Sequence, residues 1–382
     1  MDFSWKDEEI RLRDDLARFA REELSADVLE NDRKGRFDRG LWKKCAEHGI
    51  LGYSVPERYG GQAPMPLPSA MLAMEGFGYG CRDNGLAFGL NAQLWTVQLP
   101  IVEFGTDEQK ERFLPSLCSG ESIGAHAITE PDTGSDAFNL ETRAAPVEGG
   151  YMLNGKKWLI TFAPVADVAL VLATTDPELG KWGVTAFLVE CDRPGFSASP
   201  VHDKMGLRTV PIGAFEFNDC FIPEANRLGP EGGGVSLSSH SLQIERCCIL
   251  ASQLGAMQRQ LEEAVEYARS RTQFGQRIGR FQSVSNRIAD MKLRLETSRL
   301  LLYKVAWQIE NGIDARMESA LLKLHLSESF VASGLDAIRI HGGNGYLTEF
   351  EVERDLRDAI GGTLYAGTSD IQRNLIARIL GV

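Results

Sequence analysis

The chain has 382 residues, of which 43% are hydrophobic and 25% are charged, and this length suffices for two or three packed units. Its 39 glycines and 15 prolines are typical of a globular protein, which excludes a collagen-like or disordered chain. The net charge of -12 repels phosphate backbones, so we expect no nucleic-acid partner.

Location and metal binding can also be judged from the sequence. No uncharged apolar run is long enough to span a bilayer, so we expect no membrane association. The acidic segment 1–9 lacks the apolar core of an export signal, and we therefore expect a cytoplasmic protein. The seven cysteines form no Cys-x-x-Cys pair, which argues for reduced thiols and against a disulfide framework or a metal site.

The first third of the chain has helical patterning. Apolar residues at helical spacing predict a helix over 10–24. Residues 69–115 continue this pattern, with a predicted glycine-rich interruption at 76–89.

The pattern changes to strands near residue 120. Residues 149–161 predict two strands joined by a turn at Asn154-Gly155. Further β-rich runs cover 168–174, 183–190 and 214–222. These runs favour a small antiparallel β domain over roughly 120–225.

After the glycines of 229–234, which we interpret as a flexible hinge, helical patterning returns. Apolar stripes predict long helices over 254–268, 281–310 and 321–338. Long helices with one apolar stripe usually pack as an antiparallel bundle. The chain is therefore predicted to be an α+β protein with helices, then strands, then a helical bundle.

No Walker A loop and no Gly-x-Ser-x-Gly motif is present, but four segments have binding character. Residues 127–136 form a hydroxyl-rich turn that either cradles an anion or is an ordinary polar loop. Residues 157–161 suit packing against a flat ring, although a half-buried strand reads the same way.

The other two segments lie in the predicted bundle. Arg271 and Phe274 in 269–275 suit a phosphate and an aromatic ring, although the segment also fits a helix end capped by Gly275. Residues 341–346 and 365–372 place glycines beside a predicted helix start, for which Ser369-x-x-Gln372 has the capping-box form.

These segments, in this order, resemble the acyl-CoA dehydrogenase family of flavoproteins over nearly the whole chain. The most specific pieces are Ile128-Thr-Glu-Pro with Gly134-Ser-Asp136, Arg271-x-x-Phe274-Gly275, and Gly367-Thr-Ser369-Asp-Ile-Gln372. The resemblance implies an N-terminal helical domain (1–119), a middle antiparallel β domain (120–230) and a C-terminal four-helix bundle (231–382). It also implies FAD at a subunit contact and a homotetramer.

Residue by residue, the resemblance implies an FAD site. The residues that match the flavin and pyrophosphate contacts are Ile128, Thr129, Gly134 and Ser135, and Thr161 matches the threonine facing flavin N5. The residues that match contacts with a neighbouring subunit's FAD are Arg271, Gln273, Phe274 and Gln282. Those that match pyrophosphate contacts are Arg339, Gly342 and Gly343, and those that match the adenine half are Thr368 and Asp370.

Two positions depart from the family pattern. Leu159 stands where many relatives have a tryptophan against the flavin. Arg339 stands where a glutamine is usual, although a cation also suits a pyrophosphate.

The family reaction needs a base for the α proton of a thioester while the β hydride passes to flavin N5. Most members place that glutamate directly before the Gly-Thr-Ser segment, where this chain has Ala366. A minority, including isovaleryl-CoA dehydrogenase, places it on a bundle helix before an arginine, and Glu245-Arg246 matches that position. The resemblance therefore implies Glu245 as the base, Arg246 near the substrate and Tyr365 beside its acyl part. The alternative is that Glu245 is a surface residue paired with a basic group.

Within the family, the chain is most similar to bacterial enzymes of secondary metabolism, including prolyl-carrier-protein dehydrogenases. The similarity lies in 99–104, 291–296, 367–370 and the base at Glu245. It implies a substrate tethered to a carrier protein through phosphopantetheine, with prolyl as the candidate acyl group. The alternative is a free CoA ester. The electron acceptor is either an electron-transfer flavoprotein or oxygen. A flavin oxidase or monooxygenase and a catalytically silent flavoprotein remain as further alternatives.

Overall fold

A computed structural model describes residues 4–63 and 65–382. Residues 1–3, which belong to the segment used to argue against export, lie outside the described residues, as does Pro64. The N-terminal helices are α1 Asp7–Glu23, α2 Val28–Lys34, α3 Arg39–Glu47, α4 Leu67–Gly80, α5 Asn84–Gln93, α6 Leu99–Phe104 and α7 Asp107–Cys118. The predicted first helix is α1, and a π-helical segment, Leu94–Gln98, joins α5 to α6.

The predicted glycine-rich interruption at 76–89 is confined to residues 81–83, because α4 continues through Gly80 and α5 begins at Asn84. The glycines of α4 permit close helix packing. A Cβ on Gly78 would lie 1.9 Å from the Ser252 carbonyl oxygen, and a Cβ on Gly80 would lie 2.0 Å from that of Ala17. Glycine in a helix is unfavourable by itself, but here it lets α4 contact two neighbouring backbones.

The middle of the chain forms an eight-stranded sheet. Its strands are β1 Gly124–Ala127, β2 Arg143–Val147, β3 Gly150–Thr161, β4 Val168–Thr174, β5 Val184–Glu190, β6 Phe196–Ala198, β7 Ile212–Pro223 and β8 Arg227–Leu228. The order is β6-β7-β3-β2-β4-β5-β8, with β1 also paired to β4. The pairing is antiparallel except for β1–β4 and one residue pair of β2–β4.

The predicted turn at Asn154-Gly155 is wrong. Both residues lie inside β3, which pairs with β2 on one side and β7 on the other. Asn154 exchanges two hydrogen bonds with Asp219 at an irregularity of the β3–β7 pairing, at 3.0 and 2.9 Å. The turn lies instead at Glu148-Gly149, between β2 and β3. Pairing on both sides has overridden the local turn preference.

The last third is the helical bundle. Its elements are α8 Gly234–Cys248, α9 Ala251–Ser270, the short strands β9 Thr272–Gln273 and β10 Gln276–Arg277, then α10 Gln282–Glu310, α11 Arg316–His341, α12 Val352–Gly362 and α13 Ser369–Leu380. The three long predicted helices correspond to α9, α10 and α11. Their facing sides bury apolar residues such as Leu254, Leu295 and Leu326, which form the bundle core.

Gly275 does not cap a helix. The helix α9 ends at Ser270, and Phe274-Gly275 form the turn of the β9–β10 hairpin, both at positive φ. Separately, none of the helices in 4–63 and 65–382 combines the length and the apolar character needed to cross a bilayer.

Candidate active site

Glu245 lies on a nearly continuous helical rod. Only Ile249 and Leu250 separate α8 from α9, and the Ile249 backbone N–H still donates to the Glu245 carbonyl at 2.9 Å. Residues four apart on a helix lie on the same face, so Ile249 follows Glu245 along the rod. Gln253 lies beyond the break, where its backbone N–H donates to the Leu250 carbonyl oxygen at 3.1 Å. The rod is held against α4 by the close contact at Gly78.

The Glu245 side chain is buried, with 8% of the residue exposed. Burial raises the pKa of this carboxyl to about 7, and the cations of Arg246 and Lys323 act against that rise. A carboxyl with this pKa is part ionised near neutral pH and can accept a proton. The alternative of an ordinary surface glutamate does not agree with this burial.

The loop before α13 meets the rod at Arg246. The Arg246 Nε donates to the Ala366 carbonyl oxygen at 3.5 Å. Ala366 and Gly367 both have positive φ, of 53° and 85°, and Gln372 Nε2 donates to their carbonyl oxygens at 3.2 and 3.1 Å. The helix with Glu245 and the position of Ala366 therefore come together, as the resemblance implies.

Thr368, and not Ser369, is the N-cap of α13. The Thr368 hydroxyl oxygen accepts a hydrogen bond from the Ile371 N–H at 3.2 Å. The helix begins at Ser369 as predicted, but the predicted capping box does not form, and the Gln372 side chain bonds instead to the Ala366 and Gly367 carbonyl oxygens. Asp370 is exposed in the first turn and pairs with Arg373 at 2.9 Å.

Tyr365 lies at the inner side of this loop. Its ring is 4.6 Å from that of Phe88, and the ammonium of Lys323 is 5.8 Å from its centroid. Its hydroxyl accepts a hydrogen bond from Gln253 Nε2. Tyr365 therefore connects the loop, α11 and the face of the rod that carries Glu245.

Residues 128–135, the first segment predicted to contact the flavin, follow β1. Lys157 Nζ donates to the Ile128 carbonyl oxygen at 2.9 Å and to Glu130 Oε1 at 2.7 Å, and both charged side chains are almost fully buried. The Trp158 N–H donates to the Thr129 carbonyl oxygen at 2.8 Å. Ile128 and Thr129 are thereby fixed to β3, the strand that ends at Thr161.

Open space surrounds this segment. Gly134 and Ser135 are exposed, and a Cβ on Gly134 would meet no atom within 4 Å. Leu159, at the position of the family tryptophan, has a φ of 57° and is 53% exposed. The surface between this loop and the end of β3 therefore remains accessible.

The remaining predicted FAD residues lie at the far end of the bundle. Arg271, Gln273, Phe274 and Gln282 are all exposed, with Phe274 at 93%. Arg339 is exposed near an ion-pair partner, Asp336 at 3.5 Å, and Gly342 and Gly343 have open space. The C-terminal ends of α9 and α11, which precede these two sets of residues, are in contact. Tyr267 of α9 packs on His341 of α11, with ring centroids 4.2 Å apart.

The predicted set is therefore divided within one chain. Lys323, which is close to Glu245, lies in α11, and Gly342 directly follows the end of that helix, 19 residues further along the chain. At 1.5 Å per residue this separation is about 28 Å. The residues near Glu245 and those near Gly342 occupy two distinct surfaces.

These residues fit an FAD. Backbone N–H groups and hydroxyls at 128–135, exposed cations at Arg271 and Arg339, and glycines without neighbouring atoms suit a flat ring and a pyrophosphate. Within the described ranges, no cluster of three His, Cys, Asp or Glu side chains could hold a metal ion.

Sequence reasoning missed two buried polar residues of the site. Lys323 is fully buried, and its Nζ donates to the Gly362 carbonyl oxygen at 2.7 Å. Gln253 lies two turns beyond Glu245. The spacing of eight from Glu245 was a usable signal for Gln253, whereas Lys323 is recognisable only as a cation inside an apolar stripe.

Comparison with known proteins identifies the family. Models of the acyl-CoA dehydrogenase N-terminal, middle and C-terminal domains match residues 6–121, 125–220 and 232–381. The chain therefore belongs to the acyl-CoA dehydrogenase family, and the predicted family and fold are confirmed.

Particular relatives are similar over the full length. The chain is 46% identical over 381 residues to an L-prolyl-[peptidyl-carrier protein] dehydrogenase of Pseudomonas fluorescens, covering 100% of both chains. The corresponding protein of Serratia sp. is 43% identical over 387 residues, covering 100% of this chain and 99% of the relative.

Comparison with solved structures finds relatives of the same kind. The prolyl acyl carrier protein oxidase AnaB has a TM-score of 0.97 and 46% identity, over 99% of this chain and 100% of AnaB. PigA with FAD and proline has a TM-score of 0.97 and 42% identity, over 100% and 99%.

Proposed function

We propose that the chain is an FAD-dependent dehydrogenase that oxidises the Cα–Cβ bond of a prolyl thioester tethered to a carrier protein. The observation that carries the proposal is the buried Glu245 beside the Ala366 loop in a chain whose full-length relatives are named for this substrate. The alternative substrate is a short or branched acyl group on free CoA.

The residues divide the work as follows. Glu245 takes the α proton on its carboxylate. When bound, FAD supplies the hydride acceptor for the β carbon. Arg246 and Gln372 hold the carbonyls of Ala366 and Gly367 in place, and Tyr365 flanks the acyl part. The buried walls around Glu245 exclude water, which favours proton transfer from carbon over exchange with solvent.

The two distinct surfaces support a shared FAD site. We propose that Ile128, Thr129, Gly134, Ser135 and Thr161 hold the flavin and pyrophosphate of one FAD. The exposed end of the bundle then serves the FAD of a neighbouring subunit, through Arg271, Gln273, Phe274 and Gln282, and pyrophosphate contacts from Arg339, Gly342 and Gly343. Thr368 and Asp370 contact the adenine half.

A homotetramer, a cytoplasmic location and the domain division 1–119, 120–230 and 231–382 complete the proposal. They are supported by the family resemblance.

The base gives a pH prediction. Because burial raises the pKa of Glu245 to about 7, the reactive carboxylate is lost as the pH falls through that value. We expect the rate of anaerobic flavin reduction by substrate to rise with pH with a midpoint of about 7. The midpoint of an exposed glutamate would be about 4.3. Stopped-flow absorbance from about pH 5 to about pH 9 measures it. A flat profile across neutral pH would contradict a buried glutamate base.

The substrate is tested by anaerobic flavin bleaching. Purified holoenzyme is mixed with a carrier protein loaded with prolyl, with carriers loaded with short acyl groups, and with a panel of acyl-CoA esters. We expect loss of oxidised-flavin absorbance with the prolyl carrier. Bleaching only by CoA esters would replace this substrate with an ordinary acyl-CoA, and bleaching by none of them would refute the proposal.

Reoxidation identifies the electron acceptor. The AnaB relative is named an oxidase, whereas the Pseudomonas and Serratia relatives are named dehydrogenases. After bleaching, air is admitted without any other acceptor. Rapid return of the flavin absorbance supports the oxidase alternative, and slow return supports an electron-transfer flavoprotein.

A further inference from the structure

Gln253 has a polar atom without a partner in the protein. The residue is 8% exposed, its Nε2 donates to the Tyr365 hydroxyl, and its Oε1 is buried with no hydrogen-bond partner. An unsatisfied buried acceptor is costly, and native structures keep such groups where a ligand or water completes them.

Gln253 also lines a small cavity. The cavity is lined by apolar side chains, including Phe88, Ile249 and Phe330, and has room for about one water molecule. Two other polar side chains of the wall are already engaged. Asn84 Nδ2 donates to Asp358 Oδ2 at 3.0 Å, and Asp358 Oδ1 accepts from the Leu207 N–H at 2.6 Å.

This wall lies on the acyl side of the site. Gln253 lies eight residues beyond Glu245 on the same rod, and its hydrogen-bond partner Tyr365 directly precedes Ala366. Burial raises the pKa of Tyr365, and the carboxylates of Asp358 and then Glu245 add to that rise, so Tyr365 lies within electrostatic range of Glu245. A long side chain on a helix leans toward the N-terminus, which directs Gln253 toward Glu245.

We propose that Gln253 is a specificity residue whose Oε1 accepts the amine N–H of an aminoacyl substrate, directly or through the single water that the cavity accommodates. This inference rests on the proposed function. A prolyl group differs from a cyclopentanecarbonyl group of the same shape by one ring amine, so an acceptor at this place distinguishes the two. The cavity is too small for the ring, so the ring itself binds outside it.

The experiment compares carriers loaded with prolyl and with cyclopentanecarbonyl, by the rate of anaerobic flavin bleaching. We expect the wild-type holoenzyme to favour the prolyl carrier. Gln253→Leu removes the acceptor while nearly preserving volume, so it should slow the prolyl reaction roughly tenfold to a hundredfold more than the cyclopentanecarbonyl reaction. The lost hydrogen bond to Tyr365 affects both reactions and cancels in this ratio.

Gln260→Leu is the matched control. Gln260 lies on the same helix, is 3% exposed and has two unpartnered amide atoms, but it does not line the cavity. This variant should keep the wild-type preference. A preference that survives Gln253→Leu, or equal rates of the wild type with both carriers, would overturn the inference even if the variant folds poorly. Failure of both carriers to bleach the flavin would instead overturn the proposed function.

Discussion

Replacing Glu245 with Gln is expected to slow flavin reduction by substrate roughly 10²- to 10⁴-fold, because general-base catalysis contributes about this much. The amide has nearly the same shape and cannot take the α proton. Since Glu245 is buried in the bundle and is not among the residues proposed to hold FAD, the variant should retain its yellow cofactor. Single-turnover bleaching with the prolyl carrier measures the loss, and the absorbance of the purified protein measures FAD content.

The control for Glu245→Gln is Glu266→Gln, an exposed position on the same helical rod. It should leave the rate unchanged. Retained turnover in Glu245→Gln, with FAD present, would show that the base is another group.

Ala366→Glu in the Glu245→Gln background extends the same test. Arg246 joins the rod to the Ala366 carbonyl at 3.5 Å, so a carboxylate at either position can address one substrate carbon. Ala366 already has a φ of 53°, and glutamate adds no further backbone strain over alanine there. We expect part of the lost rate to return. If no rate returns, a carboxylate at position 366 does not reach the substrate carbon that Glu245 serves. That outcome leaves the result for Glu245→Gln itself unchanged.

The order of helices, strands and bundle was predictable because apolar periodicity reports which face of each element is buried. Two of the differences from the predicted secondary structure have one cause. The glycines of α4 and the Asn154-Gly155 pair carry local signals for breaks, but each is overridden by a distant partner. For Gly78 the partner is the Ser252 backbone, and for Asn154 it is the side chain of Asp219. Contacts between residues so far apart in the chain are invisible to local patterns.

The residues of the site also divide into those that local motifs predict and those that only tertiary contacts reveal. The motifs identified Glu245 and the loop at Ala366 as a pair, and the structure brings them together. Lys323 and Gln253 belong to no motif, and only packing reveals that one is a fully buried cation and the other a buried acceptor without a partner. Burial of polar groups depends on tertiary contacts from α11 and the Tyr365 loop, which the sequence of either segment alone does not contain.

Replacing Lys157 with Met is expected to destabilise the protein by about 3–5 kcal/mol, because it leaves a buried carboxylate without its cation. Lys157 is fully buried, its ammonium is 2.7 Å from Glu130 Oε1, and Glu130 is 3% exposed. The same ammonium donates to the Ile128 carbonyl at 2.9 Å, so its loss should also weaken FAD retention. Thermal unfolding followed by circular dichroism, with flavin fluorescence for FAD release, measures both effects.

The adjacent residue supplies the matched control. Lys156 lies on β3 beside Lys157 and pairs with Glu216 of β7 at 2.6 Å. The side chains of Lys156 and Glu216 are 41% and 50% exposed. A solvent-exposed pair contributes about 0–1 kcal/mol, so Lys156→Met should change the unfolding temperature little. Adding Glu130→Gln to Lys157→Met removes the stranded charge and should recover much of the stability. Equal effects of Lys156→Met and Lys157→Met would contradict a buried pair that anchors the flavin segment.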